Sequence, residues 1–156
     1  MHPNLFHTKQ LVRLHMETMC DKAGRSLADH CARVVQMVPG YLPDAFRHVA
    51  WMHDLIEDTD ITLDHLRVLG YSDAVRHSLA LLTHDAERVP YMDYIRAIAA
   101  SGDAMALTVK YLDNKDNSAE WRLVCLPEDT RRWLTARYAE AAPVLERALA
   151  TVHAAT

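Results

Sequence analysis

Glycine is scarce in this chain, at four of 156 residues, and nowhere do Val, Ile and Thr alternate strictly with polar residues. Without period-two runs the sequence offers no candidate strand, which leaves helices to build the fold. The three cysteines, Cys20, Cys31 and Cys125, are odd in number and form no Cys-x-x-Cys pair. That pattern fits reduced thiols in a cytoplasmic protein rather than a disulfide framework. No stretch approaches the 18 or more apolar residues of a membrane span. The start, Met1-His2-Pro3-Asn4-Leu5-Phe6, has neither a cationic run nor an apolar core, so secretion is not expected. A basic excess is missing too: 17 Lys and Arg face 21 Asp and Glu, for a net charge of −4. Nucleic acid is therefore not an expected partner.

What the chain does have is apolar residues, 50% of the total, recurring every three to four positions. The length suits one domain over residues 1–156, long enough to bury roughly two-thirds of its unfolded surface. A second, cofactor-binding half does not fit. Thr8 is placed to cap a first helix that stops near Gly24. Ser26 with Asp29 resembles a capping box opening a helix to Met37, ended by Pro39-Gly40. Pro43 suits the first turn of the next helix. Thr62 and Ser72 cap helices to Leu69 and about Leu82, and further helices are expected near 90–100, 103–121 and 128–152. The expectation is an all-α, compact single-domain bundle of about seven helices. Trp51, Trp121 and Trp133 read as core or helix–helix interface residues. The helix from about 130 to 152 offers a seam for a homodimer.

Ten histidines do not by themselves mean metal. His2, His7 and His153 lie near the termini, and His15, His65 and His77 read as ordinary helix-face residues. The informative segment is His53-Asp54-Leu55-Ile56-Glu57-Asp58-Thr59-Asp60. At a helix end, His53 and Glu57 are i,i+4 neighbours, as are Asp54 and Asp58, while Leu55 and Ile56 turn inward. The acidic groups repel one another, and the helix C-terminus disfavours them further. A divalent cation would reverse the sign of that sum, whereas a solvated acidic face would tolerate it. Partners must come from elsewhere. His30 lies mid-helix among small apolar residues and so faces inward. Lys110, Asp113 and Asn117 share one helix face, either as a surface ion pair or as part of a site. Two imidazoles and two carboxylates, His30, His53, Asp54 and Asp113, suit a borderline cation such as Mn²⁺, Fe²⁺ or Zn²⁺ better than Ca²⁺ or Cu⁺, and Mn²⁺ is the expected one. Such a site acidifies a bound water and screens a phosphate.

The order His … His-Asp … Asp resembles the HD-domain superfamily of metal-dependent phosphohydrolases, which are all-α. His53-Asp54-Leu55-Ile56-Glu57-Asp58-Thr59 is similar to the His-Asp-x-x-Glu-Asp-Thr element of RelA/SpoT-type (p)ppGpp hydrolase domains. Lys110-x-x-Asp113-x-x-x-Asn117 resembles that family's Lys-x-x-Asp-Arg-x-x-Asn element, and Gly24 matches a glycine before its first histidine. The likeness spans roughly residues 20–120. It implies metal ligands at His30, His53, Asp54 and Asp113, and catalytic acid/base roles for Glu57 and Asp58. It also implies substrate contacts from Lys110 and Asn117. A second pair, His84-Asp85, lacks the acidic sequel.

Departures bear on the substrate. Ser26-Leu27-Ala28 replaces Pro-Tyr-Ile, Asn114 replaces the Arg after Asp113, and the basic nucleotide contact near the start shrinks to Lys22 or Arg25. The length leaves no room for a synthetase domain. Tyr91 and Tyr94 are either packing residues or the walls of a base pocket. The resemblance implies a phosphohydrolase of a small phosphorylated nucleotide, with 3′-pyrophosphate removal from (p)ppGpp as its leading form. Hydrolysis of a nucleoside monophosphate or NADPH is the enzymatic alternative, and a non-catalytic nucleotide-binding module is the other.

Overall fold

In a computed structural model of the protein, which describes residues 3–154, helices begin where side-chain oxygens cap exposed backbone N–H groups. Ser26 accepts from Asp29 N to open α2 (Leu27–Met37), and Ser72 accepts from Val75 N to open α6 (Asp73–Leu82). Thr62 and His65 form a reciprocal capping box at α5 (Leu63–Val68). Asp103 caps α8 (Ala104–Asn117), directly after Gly102 ends α7 (Tyr91–Ser101) in the left-handed conformation, φ 67°. The remaining segments are α1 (Leu5–Met16), α3 (Asp44–Met52), α4 (Leu55–Asp58), α9 (Glu120–Leu123) and α10 (Glu128–Ala154). Seven of them, α1, α2, α3, α6, α7, α8 and α10, have nine residues or more, and the other three are short turns of helix. The expected all-α bundle of about seven helices is what the described residues form.

Helix α8 organises the bundle. Ala106, Leu107, Thr108, Val109, Leu112, Asp113, Asn114 and Asp116 are all buried, so it is enclosed nearly all round. It packs against α2, α3, α6, α7 and α10. Three polar residues on its C-terminal half therefore enter the interior, where each needs a partner. No described helix is long and apolar enough to cross a membrane.

Some local expectations change. Asn4, not Thr8, caps α1, because Thr8 is buried and its hydroxyl serves His48 and Tyr71. α1 ends at Met16 rather than near Gly24, since Asp21 folds residues 21–25 into a turn. The helix expected over 103–121 breaks at Ser118 and resumes as α9. Trp51 is core as expected, but Trp121 and Trp133 are 45% and 51% exposed and lie under cations instead. His2, read as incidental, lies outside the described residues.

Candidate metal centre and cleft

Four elements converge on the two buried histidines. His30 sits on the inner face of α2 and is 2% exposed. His53, 3% exposed, caps the C-terminus of α3, and Asp54 follows it as the N-cap of α4. Asp113 reaches in from α8. The helix path breaks at His53-Asp54, where Asp54 takes φ −99° and ψ −7°. That break lets two adjacent residues both face the centre, which neighbours on a continuous helix do not do.

The imidazole nitrogens have divided duties. His53 Nδ1 donates to Ala50 O at 2.8 Å. His30 Nδ1 donates to Asp116 Oδ2 at 2.6 Å. Arg122 Nη1 crowds the same spot, and Asp116 Oδ2 accepts from it as well. When the rings are neutral and both Nδ1 positions donate, both Nε2 atoms present lone pairs, and they face each other at 3.2 Å. Asp113 Oδ1 lies 3.0 Å from His30 Nε2 and 3.6 Å from His53 Nε2. Asp54 Oδ2 lies 3.6 and 3.3 Å from the same two atoms. Ligand atoms of His30, His53 and Asp54 all fall within 4.8 Å of one another, a group able to hold a metal ion. Four acceptors converging with no donor among them form an unfavourable arrangement that a cation or a proton relieves. The donor set thus fits a divalent ion, and each imidazole has the outward hydrogen bond that orients a metal-binding histidine.

Electrostatics point the same way. Burial alone would lower the His53 pKa, but the Asp54 charge beside it wins and raises it well above the ordinary value. His30 is likewise raised, by Asp113 and Asp116 against its burial. Burial would raise Asp113, yet the Lys110 ammonium and the two imidazoles hold it well below the usual carboxylate range. Lys110 Nζ donates to Asp113 Oδ2 at 2.8 Å and Asn117 Nδ2 to Oδ1 at 2.5 Å. The polar stripe Lys110–Asp113–Asn117 is thus an interior network, not a surface ion pair.

Two cavities adjoin, and the inner one reaches this centre at His53, Asp54 and Asp113. The inner one, about 120 Å³, is lined by His53, Asp54, Glu57, His84, Lys110 and Asp113 among others. The outer one, about 370 Å³, is lined by Asp21, Lys22, Glu57, Asp58, Arg122 and neighbouring apolar groups. Glu57, Asn117, Arg137 and Tyr138 line both. Glu57 Oε2 accepts from His84 N at 3.0 Å. Partial burial, with the charges of Asp54 and Glu57, raises the Asp58 carboxyl to about 6. Lys22 lines the outer cavity and sits 5.1 Å over Trp133. Arg25 lines neither cavity; it lies 4.7 Å over Trp121 and reaches Cys125 Sγ.

Several participants were not singled out from sequence. Asp116, which orients His30, sits three residues past Asp113 in an equally acidic run, and no spacing rule distinguishes the two. Arg33 and Arg122 neutralise it and are 83 and 6 residues distant. His84, marked in the sequence only as part of a second His-Asp pair, reaches the site through its backbone and stacks on Tyr94 at 4.4 Å. Tyr94 is buried and its hydroxyl donates to Leu82 O, whereas Tyr91 is partly exposed with Arg137 3.7 Å over its ring.

No family profile and no curated protein matches the sequence. Among solved structures, a metazoan ortholog of SpoT, described as hydrolysing ppGpp and playing a role in starvation responses, matches with a TM-score of 0.71. The match covers 97% of this chain and 96% of that one at 16% identity. The chain shares the overall all-α fold of that protein.

Proposed function

We propose that this HD-fold chain is a metal-dependent phosphohydrolase of a small phosphorylated nucleotide, with (p)ppGpp 3′-pyrophosphate hydrolysis as its leading form. The observation that carries the proposal is the pair of Nε2 atoms facing each other between two carboxylates, beside an inner cavity that His53, Asp54, Glu57 and Asp113 line. His30, His53, Asp54 and Asp113 would hold a divalent cation, Mn²⁺ by preference and Fe²⁺ or Zn²⁺ otherwise. When bound, the cation neutralises phosphate charge and acidifies water.

The chain's own residues supply the rest. Glu57, pinned by the His84 amide, and Asp58, whose carboxyl titrates about 6, stand beside the centre as acid/base groups. Lys110 and Asn117 set the Asp113 carboxylate while facing the inner cavity. Lys22 faces the outer cavity, where a phosphorylated substrate extends from the reacting end. The outer volume falls within the usual small-ligand range of roughly 300–1,000 Å³. The fold shared with a ppGpp hydrolase supports the alarmone. The inner cavity accommodates a single phosphoryl group and favours no particular base, which keeps a nucleoside monophosphate or NADPH as the second substrate reading. The unpaired cysteines fit a cytoplasmic setting, and residues 1–156 are taken as one such domain.

Product analysis of Mn²⁺-loaded protein with ppGpp, NADPH and nucleoside monophosphates tests this, with Asp54→Ala alongside. Pyrophosphate released from ppGpp, and lost in the variant, is the expected result. Orthophosphate from another substrate moves the assignment to a monoester. Metal binding with no turnover of any substrate leaves a nucleotide-binding module in place of an enzyme.

A further inference from the structure

The loop joining α1 to α2 is turned by one carboxylate. Asp21 Oδ1 accepts from Ala23 N at 2.8 Å and Arg25 N at 2.9 Å, and Asp21 N donates to Arg25 O at 2.8 Å. An isolated antiparallel bridge between Cys20 and Ser26 closes the turn from outside. Lys22 is thereby presented to the outer cavity. The other oxygen, Asp21 Oδ2, accepts from Arg122 Nη2 at 2.5 Å. Arg122 Nη1 donates to Asp116 Oδ2, the same atom that accepts from His30 Nδ1.

One buried guanidinium, 7% exposed, therefore joins the carboxylate that orients His30 to the carboxylate that shapes the Lys22 turn. A second strand runs parallel to it. Arg33 donates to both oxygens of Asp116 and lies 5.0 Å over Trp121, whose ring also carries Arg25 at 4.7 Å. Arg122 borders the outer cavity, but two carboxylates already match its charge, so it is poorly suited to grip a substrate anion. A cation on His30 Nε2 would draw electron density from the ring and make Nδ1–H a stronger donor to Asp116. Asp116, Arg122 and Asp21 would then be held more firmly together, and the turn with them.

We infer that Arg122 is a positioning residue that couples occupancy of the His30–His53 pocket to placement of the Lys22 turn through Asp116 and Asp21. The inference rests on the cation reading of that pocket. It assigns the turn a defined, cation-dependent position rather than leaving it an independent surface loop. By linkage, whatever orders the turn also tightens cation binding by the same factor.

The test uses the full chain and Mn²⁺ alone as the probe, with wild type, Asp21→Asn and Arg122→Met. Asp21→Asn keeps an oxygen to accept from Ala23 and Arg25 but removes the charge that holds Arg122, so it decides the matter if Arg122→Met does not fold. Calorimetry measures Mn²⁺ affinity, and mass spectrometry follows tryptic cleavage after Lys22 and Arg25. In wild type, saturating Mn²⁺ is expected to slow those cleavages by about fivefold or more, and in either variant by less than about twofold. Mn²⁺ affinity is expected to fall severalfold in both variants. Equal protection in wild type and Asp21→Asn overturns the coupling, as does Mn²⁺ binding to wild type with no protection. Absence of any Mn²⁺ binding in calorimetry removes the cation reading itself, and the coupling with it.

Discussion

His30 Nε2 and His53 Nε2 stand 3.2 Å apart with the opposite nitrogen of each ring already donating, to Asp116 and to Ala50 O. Each ring is a preset acceptor, and the carboxylates around them raise the affinity of both for a positive charge. A proton and a divalent ion therefore compete for one place. Because both imidazole pKa values are raised above 6.5, the proton still competes above that pH. Mn²⁺ affinity is expected to climb steeply from pH 6 to pH 8, with proton release on binding. Calorimetry in buffers of different ionisation enthalpy counts those protons. A pH-independent affinity would place the ion elsewhere.

A bound ion would also stabilise the fold. At about one hundred times its Kd, an ion that binds only the native state adds about 2.7 kcal/mol. Thermal melts with Mn²⁺ and with EDTA should differ accordingly. The gap should vanish in Asp54→Ala.

Asp54 and Asp113 are expected to part company on substitution. Asp54 keeps a 26% exposed side chain, so Asp54→Ala should abolish cation binding and activity with little loss of stability. Asp113 is buried with Lys110, whose ammonium would be stranded by Asp113→Ala. Breaking such a pair costs about 3–5 kcal/mol. Urea titration of both variants reads the difference, and equal stabilities would mean that Lys110 finds another partner.

Helix type and most helix starts were legible because they depend on neighbours in sequence: Ser26, Thr62 and Ser72 cap the helices they were expected to cap. The His53-Asp54 segment was legible because it concentrates like charge beside an imidazole, which needs an explanation in any fold. His30 reaches it, as its apolar flanks suggested, and so does Asp113, whose helix face alone left a surface ion pair equally open. What escaped depends on long-range geometry. Thr8 is a sound cap residue locally, but packing of α1 on α3 buries its hydroxyl against His48 and Tyr71. Asp116 reads like a solvated neighbour of Lys115 until α2 and α9 bring His30 and Arg122 against it. Trp121 and Trp133 look like core by composition, but cations lie over both exposed rings, Arg25 and Arg33 on Trp121 and Lys22 and Arg137 on Trp133.

That buried hydroxyl carries its own prediction. Thr8 Oγ1 lies 2.7 Å from His48 Nδ1 and 2.8 Å from the Tyr71 hydroxyl, far from the cleft. Thr8→Val leaves Tyr71 buried without its partner, at an expected cost of about 1–3 kcal/mol. Tyr71→Phe on that background removes the Tyr71 orphan, leaving only the half-buried His48 short of a partner, so the double variant should be more stable than the sum of the single losses. Additive losses in urea would show that the two hydroxyls act independently. Cation affinity should stay unchanged throughout.

Asp58 reports on the centre through its charge. Its carboxyl sits at about 6 against an ordinary 3.8, raised by partial burial and by the Asp54 and Glu57 charges. The sign follows directly: the native state binds this proton more tightly than the unfolded chain. The group's contribution to stability is therefore full below about pH 4 and is lost as pH rises through 6. A cation beside Asp54 opposes the same repulsion and should bring the carboxyl down towards its ordinary value. Carboxyl carbon NMR on metal-free and Zn²⁺-loaded protein follows the titration without paramagnetic broadening. Asp54→Asn should lower the metal-free value as well, because it removes a neighbouring charge. If Zn²⁺ loading leaves the Asp58 titration where it was, the ion does not bind against Asp54, and Asp58 loses its proposed place as an acid/base group beside it.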